Sequence, residues 1–230
     1  MDNDKFLDRK LVTTGDGSSS IYLPQFDEHY HSHHGAVQES RHVFMKMGWE
    51  QQSWQGGVDI LEIGFGTGLN AWLVLNEVLR DPAAPFVHYT TLEKYPVAME
   101  IAAQLDYWKY GYGSGSDNRK HFLSLHEAQW NAAVETYPGF VLEKLTTPLQ
   151  DFEAKRKYDL IFFDAFSPRS QPELWTKEIF GKMYASLDHG GILVTYCSKG
   201  EVRRNMIAAG FRVEKVPGPP GKREMLRAFR

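Results

Sequence analysis

Three groups of residues in this chain have types and spacings suited to chemistry. The first is Leu61-Glu62-Ile63-Gly64-Phe65-Gly66-Thr67-Gly68, an acid followed by alternate glycines at the end of a short apolar run. Such glycines let the backbone turn tightly and approach a ligand with no Cβ in the way. A helix beginning near Leu69 would point free N–H groups at that ligand. A phosphate-binding P-loop needs Gly-Lys-Ser/Thr after its glycines, and Gly68 is followed by Leu69-Asn70. A dinucleotide fingerprint needs Gly or Ala at its sixth position, which here is Leu69. The second group is Glu93, which closes the run Phe86–Leu92 and lies 25 residues beyond Gly68. An acid about 20 residues past a glycine loop can reach ribose hydroxyls, although a lone strand-end Glu can equally be solvated. The third is Asp164-Ala165-Phe166-Ser167-Pro168, after the apolar run Leu160–Phe163. A strand-tip carboxylate beside an aromatic, in a loop stiffened by Pro168, suits an amine. It would accept the N–H bonds, aim the lone pair and offset the charge that forms on nitrogen. Orientation of this kind can supply on the order of 7–11 kcal/mol of barrier reduction. The competing reading of Asp164 is a cap on the following helix.

Other features carry less. His29, His31, His33 and His34 cluster, but without Cys or a dense carboxylate set they fit a loop near a ligand or the surface better than a metal site. Cys197 is the single cysteine, which excludes an internal disulfide and a Cys-based zinc cage. It could attack a pyrimidine, yet it lacks a Pro-Cys context and reads better as a small buried hydrophobe. The formal net charge is −3, but Lys199–Arg230 holds nine basic residues against three acids, a local +6 that permits an anion-binding face. Scattered Lys and Arg on a solvated hairpin would look the same.

The elements that must position these groups follow from periodicity. Lys10–Leu23 reads as a hairpin around Asp16-Gly17, and Ala36–Met47 as a helix with Val37, Ser40, Val43, Phe44 and Met47 on one face. From Val58 strands and helices alternate. Strands are expected over Val58–Ile63, Phe86–Leu92, Gly139–Leu145, Tyr158–Phe163 and Ile192–Cys197. Helices are expected over Leu69–Arg80, Val97–Leu105, Gln129–Tyr137, Leu174–Leu187 and Glu201–Ala209, with a loop over Asp106–Asp117. Two final strands, Phe211–Val216 and Glu224–Phe229, flank Pro217–Arg223. With 230 residues one substantial core is possible, so 1–57 reads as an extension packed on a single domain, 58–230. The charged N-terminus is no secretory signal and no run approaches the roughly 18 apolar residues of a membrane span, so a cytoplasmic chain is expected.

Alternating elements argue for a parallel sheet covered on both faces. The terminal antiparallel hairpin is similar to the seven-stranded, Rossmann-like sheet of class I S-adenosyl-L-methionine (SAM)-dependent methyltransferases. In that setting Glu62-x-Gly64-x-Gly66-x-Gly68 resembles their first motif. Taken together, Glu39–Phe44, Leu61–Asn70, Asp164–Pro168, Thr195–Phe211 and Gly221–Leu226 resemble the bacterial tRNA 5-aminomethyl-uridine methyltransferases, the MnmC/MnmD group.

The resemblance implies methyl transfer from SAM to the exocyclic amine of 5-aminomethyl-(2-thio)uridine at the tRNA wobble position, with contacts to the anticodon loop. It implies that Glu62, Gly64, Gly66, Gly68 and Asn70 cradle the methionine part of SAM and that Glu93 holds its ribose. Asp164 acts on the amine, Phe166 and Ser167 border the acceptor, and Lys222 and Arg223 help hold the RNA. Neither FAD nor a metal is expected, and with nothing after Arg230 the chain looks like the stand-alone form. Leu145-Thr146-Thr147-Pro148 lacks the acid that reads adenine in many SAM enzymes, which leaves that contact open. Rival readings are a methyltransferase of a small free amine, a spermidine-synthase-like aminopropyltransferase, and a non-enzymatic module on the same fold.

Overall fold

The structure is a computed structural model that describes residues 8–113 and 115–230. Most of the charged N-terminus, and Ser114 of the expected loop, lie outside the described residues. The chain opens with β1 (Lys10–Thr13), β2 (Ser19–Leu23) and β3 (Glu28–His29), an antiparallel meander, followed by α1 (Ala36–Ser40). Alternation then begins: β4 (Gly57–Ile63), α2 (Leu69–Arg80), β5 (Phe86–Leu92), α3 (Met99–Ala102), α4 (Gly115–Glu127), β6 (Ala133–Tyr137) and β7 (Phe140–Leu145). After these come β8 (Tyr158–Phe163), α5 (Lys177–Ser186), β9 (Leu187–Thr195), α6 (Gly200–Ala208), β10 (Arg212–Pro217) and β11 (Glu224–Phe229).

The main sheet has eight strands in the order β10-β11-β9-β8-β4-β5-β7-β6. Its interior pairs are parallel, whereas β6–β7, β9–β11 and β10–β11 are antiparallel. Strands covered on both faces need apolar residues at successive positions, which is why Ile60-Leu61 and Leu160–Phe163 form unbroken apolar runs. Ile60 packs with Tyr89 and Phe162 on one face, and Leu61 and Ile63 pack with Ile161 and Phe163 on the other. The first face is covered by α2, α4 and the N-terminal segment, since Trp72, Phe122, Val37 and Phe44 join that cluster. The second is covered by α5 and α6 through Phe180, Met183, Val202 and Met206.

The chain runs outward from β4 to β5 and β7, then returns to β8 on the other side of β4. That reversal makes the C-terminal ends of β4 and β8 a switch point, where open α/β sheets bind ligands. Gly64 and Asp164, the residues just past those ends, meet there.

Several elements differ from expectation. Gln129–Tyr137, expected as a helix, instead supplies β6, the eighth strand at the sheet edge. Pro138-Gly139, with Gly139 at φ 83°, turns the chain back into β7, and β-prone Val134 and Tyr137 pair with Leu142 and Phe140 across a bulge at Thr136. Conversely, the Gly/Ser-rich end of the expected loop opens α4, whose buried Asn118, Phe122, Leu125 and His126 fall at helical spacing. The helix expected over Val97–Leu105 is the single turn α3. α5 starts later than expected, at Lys177, because Thr176 caps it by accepting from the Ile179 N–H at 3.3 Å. The helix from Ala36 runs on as a wider π-turn over Arg41–Lys46. Among the described residues no helix is long and apolar enough to cross a membrane.

Candidate active site

A cavity of about 630 Å³ opens at the switch point, within the usual range for small-molecule sites. One wall is the glycine loop between β4 and α2. The Gly64 N–H donates to the Leu92 carbonyl at 2.9 Å, and a Cβ on Gly64 would stand 2.7 Å from the Asp164 carbonyl oxygen. Gly64 therefore has to be glycine for the two loops to touch, and its φ of 97° demands the same. Gly66 lies under the Tyr30 ring, with space for a Cβ only 3.1 Å from it. The loop is braced from behind: the Thr67 carbonyl bonds the His126 ring at 3.1 Å, and the buried Lys144 ammonium donates to the His126 carbonyl at 2.7 Å.

Glu93 reaches back from the end of β5 across this loop. Its carboxylate accepts from the Gly66 N–H at 2.9 Å and the Tyr95 N–H at 2.8 Å. A carboxylate has about four lone-pair positions, so two remain for hydroxyls in the cavity. Beyond β7, Thr147, Pro148 and Leu149 form an adjoining wall without an acid. A glycine cradle, an oriented acid and that largely apolar wall fit a nucleoside.

The opposite half is ionic. Asp164 accepts from the Asn70 side-chain amide at 2.9 Å, and the same nitrogen donates to Glu62 at 3.1 Å. Glu62 also accepts from the Thr91 hydroxyl at 2.7 Å. Burial pushes the Asp164 carboxyl up to about 7, against the pull of Asn70, with Glu39 raising it further and Lys222 lowering it. Burial likewise pushes Glu62 up to about 8. Phe166 stands edge-on to Tyr30 with ring centroids 5.1 Å apart. Lys222 donates to Glu39 at 2.7 Å and lies 4.3 Å over the Tyr196 ring.

Gly64, Gly66, Asn70, Glu93, Asp164, Phe166, Ser167 and Lys222 thus share one cavity. Glu62 is fully buried beneath it, and Gly68, the residue before α2, is buried where a Cβ would meet the His126 ring and does not line the space. Arg223 is exposed and does not line it. The Ser167 hydroxyl is directed to Glu28, at 2.6 Å. Among the described residues no group of three or more His, Cys, Asp or Glu is arranged to hold a metal ion. His31 is instead wedged between the Ser20 hydroxyl at 3.0 Å and Thr67 at 3.4 Å, and burial pulls its ring down to about 4. Cys197 is buried and free.

Glu28, Tyr30 and Glu39 line the same cavity and were not singled out as site residues by sequence reasoning. Only Glu39 carried a signal, as an acid amid the buried face of Val37, Ser40 and Val43.

Residues 123–230 match a family described as S-adenosyl-L-methionine-dependent methyltransferase. The chain is 30% identical over 226 residues to the tRNA 5-methylaminomethyl-2-thiouridine biosynthesis bifunctional protein MnmC of Cupriavidus metallidurans, covering 93% of this chain and 33% of that protein. It is 33% identical over 220 residues to the protein of the same name from Paracidovorax citrulli, covering 90% and 33%. The chain therefore spans about a third of the length of the curated relatives it matches. Its fold is that of MNMC2 from Aquifex aeolicus, with a TM-score of 0.76 at 24% identity over 96% of this chain and 70% of that one. The chain is thus similar to MnmC proteins along nearly its whole length, its residues 123–230 match an S-adenosyl-L-methionine-dependent methyltransferase family, and its fold is shared with MNMC2.

Proposed function

We propose that this chain transfers a methyl group from SAM to the exocyclic amine of 5-aminomethyl-(2-thio)uridine at the wobble position of tRNA. The observation that carries the proposal is the meeting of Asp164 with the glycine cradle at one switch point, in one cavity with Glu93. SAM would supply a methyl carbon activated by its sulfonium; the residues here must bring a neutral amine to it. Glu93 offers its two remaining acceptor positions to ribose hydroxyls, and the Gly64–Gly68 backbone leaves space for the amino-acid chain. Asp164, held by Asn70, accepts N–H bonds from the acceptor and offsets the positive charge that grows on its nitrogen. With its carboxyl pushed up to about 7, Asp164 is also matched to taking the proton near neutral pH. Phe166 and Tyr30, set edge to face, give the base an aromatic border on which one ring can stack, since single-stranded bases are recognised by stacking.

In this reading 58–230 is the methyltransferase domain and 1–57 an extension that completes its acceptor side. The anticodon loop of a cytoplasmic tRNA is the partner. The names of the MnmC relatives, which point to 5-methylaminomethyl-2-thiouridine biosynthesis on tRNA, support the choice of acceptor. The test supplies methyl-labelled SAM with either tRNA bearing the unmethylated amine or free polyamines and nucleosides. Label in tRNA is the expected result. Label confined to the free amines would replace the acceptor class.

A further inference from the structure

The acceptor loop is tied down from both sides of the cavity, and the two sets of ties come from distant parts of the chain. From the sheet side, the Tyr196 hydroxyl donates to the Ala165 carbonyl at 2.9 Å and the Trp175 indole donates to the Phe166 carbonyl at 2.9 Å. The Phe166 N–H donates to the Gln171 side chain at 3.1 Å. The far half of the loop, from Ser167 to Ser170, is instead held by the N-terminal meander. One oxygen of Glu28, on the two-residue strand β3, accepts from the Ser167 hydroxyl at 2.6 Å and the Ser170 hydroxyl at 2.5 Å. Short hydroxyl-to-carboxylate bonds of this length are among the stronger hydrogen bonds in proteins.

Glu28 is itself fixed. β3 pairs with β2 through Leu23↔Glu28, and Leu23 is buried in the main core. Two residues on, Tyr30 lies against both Gly66 and Phe166, so the meander spans the cradle and the acceptor loop.

We infer that Glu28 is a positioning residue: through Ser167 and Ser170 it holds the Asp164–Pro168 loop in the geometry that aims Asp164 at the acceptor. This inference rests on the proposed methyl transfer and assigns Ser167 a structural bond to Glu28 in place of a contact to substrate. A displacement of about 1 Å in a reacting group can cost on the order of a hundredfold in rate. Loosening this loop therefore lowers turnover far more than it lowers affinity for SAM, whose cradle and ribose acid lie on the other wall.

The experiment compares the full chain with Glu28→Ala, Glu28→Gln, Ser167→Ala/Ser170→Ala and the combined Glu28→Ala/Ser167→Ala/Ser170→Ala variant. Turnover on tRNA, KM for tRNA and SAM binding by calorimetry are measured for each. Glu28→Ala should lose about ten- to a hundredfold in kcat while the SAM Kd stays within about twofold. Glu28→Gln, which keeps an acceptor oxygen, should recover most of the loss. The combined variant should be no slower than Glu28→Ala, because residues acting through one contact are not additive. Losses that multiply, a kcat unchanged in Glu28→Ala, or SAM affinity falling in step with kcat would overturn the inference. Should Glu28→Ala fail to fold, the paired serine variant must show the same split between kcat and SAM affinity. A wild-type chain inactive on tRNA would count against the proposed function instead, and so would be told apart.

Discussion

Asp164 is an acid whose surroundings oppose one another. Burial raises it, the Asn70 amide pulls it back, and Glu39 and Lys222 push in opposite directions. If the ionised form is the working one, kcat/KM falls as pH drops through about 7, where the carboxyl takes up its proton. Removing the Asn70 amide, as in Asn70→Ala, takes away a bond that favours the charged form. The acid limb of the profile should then move to higher pH, and a limb that stays put would separate Asn70 from Asp164. Asp164→Asn should cost about 10²–10⁴ in kcat/KM with SAM affinity nearly unchanged by calorimetry. Much of this half of the site was legible in the sequence, because a glycine loop and two strand-tip acids announce themselves by type and position. Glu28 and Tyr30 were not legible, since a two-residue strand has no periodicity and the contact from Glu28 to Ser167 closes only in three dimensions. Lys222 was readable as a basic residue near the site, but not as one engaged by Glu39 over Tyr196.

The glycine loop matters as a connection between elements as much as a cradle. Because a Cβ on Gly64 would collide with backbone and not with a movable side chain, Gly64→Ala must push β4 and β8 tips apart. The expected loss is about 1–3 kcal/mol of stability, together with loss of the thermal shift that saturating SAM produces in the wild type. A melting curve that still rises normally with SAM would show the cradle to be dispensable. The mostly buried strands β4, β5 and β8 were readable because burial on both faces favours apolar and β-branched residues, most plainly in Leu160–Phe163 of β8. The segment 115–137 was not. Its Gly/Ser start concealed α4, and Gln129–Tyr137, expected as a helix, is an edge strand because the Pro138-Gly139 turn and β-prone neighbours make a hairpin there.

Across the molecule, part of the charge is engaged by internal partners and part is left to solvent. Of the basic tail, Lys222 pairs with Glu39, Lys215 with Glu224, and Arg212 and Arg227 with Glu214. Arg223, Lys199 and Arg204 have no ion pair among the described residues and are exposed. Since each released phosphate counterion contributes about one to the salt slope, Arg223→Ala should flatten the salt dependence of tRNA binding by about that amount. Lys222→Ala should leave the slope alone and lower turnover; filter binding across a salt series distinguishes the two. The asymmetry of charge was visible in the sequence, whereas its partition between pairing and exposure depends on the register of β10 with β11 and on the approach of α1. All of these expectations depend on a methyl group reaching one amine. The direct measurement is mass spectrometry of wobble nucleosides from unmethylated tRNA incubated with the chain and SAM. The account predicts that 5-aminomethyl-(2-thio)uridine is converted to its singly methylated amine, and that Asp164→Asn slows this conversion by about 10²–10⁴. Recovery of the unmodified nucleoside from the wild-type reaction, or a methyl group on any other base, would contradict it.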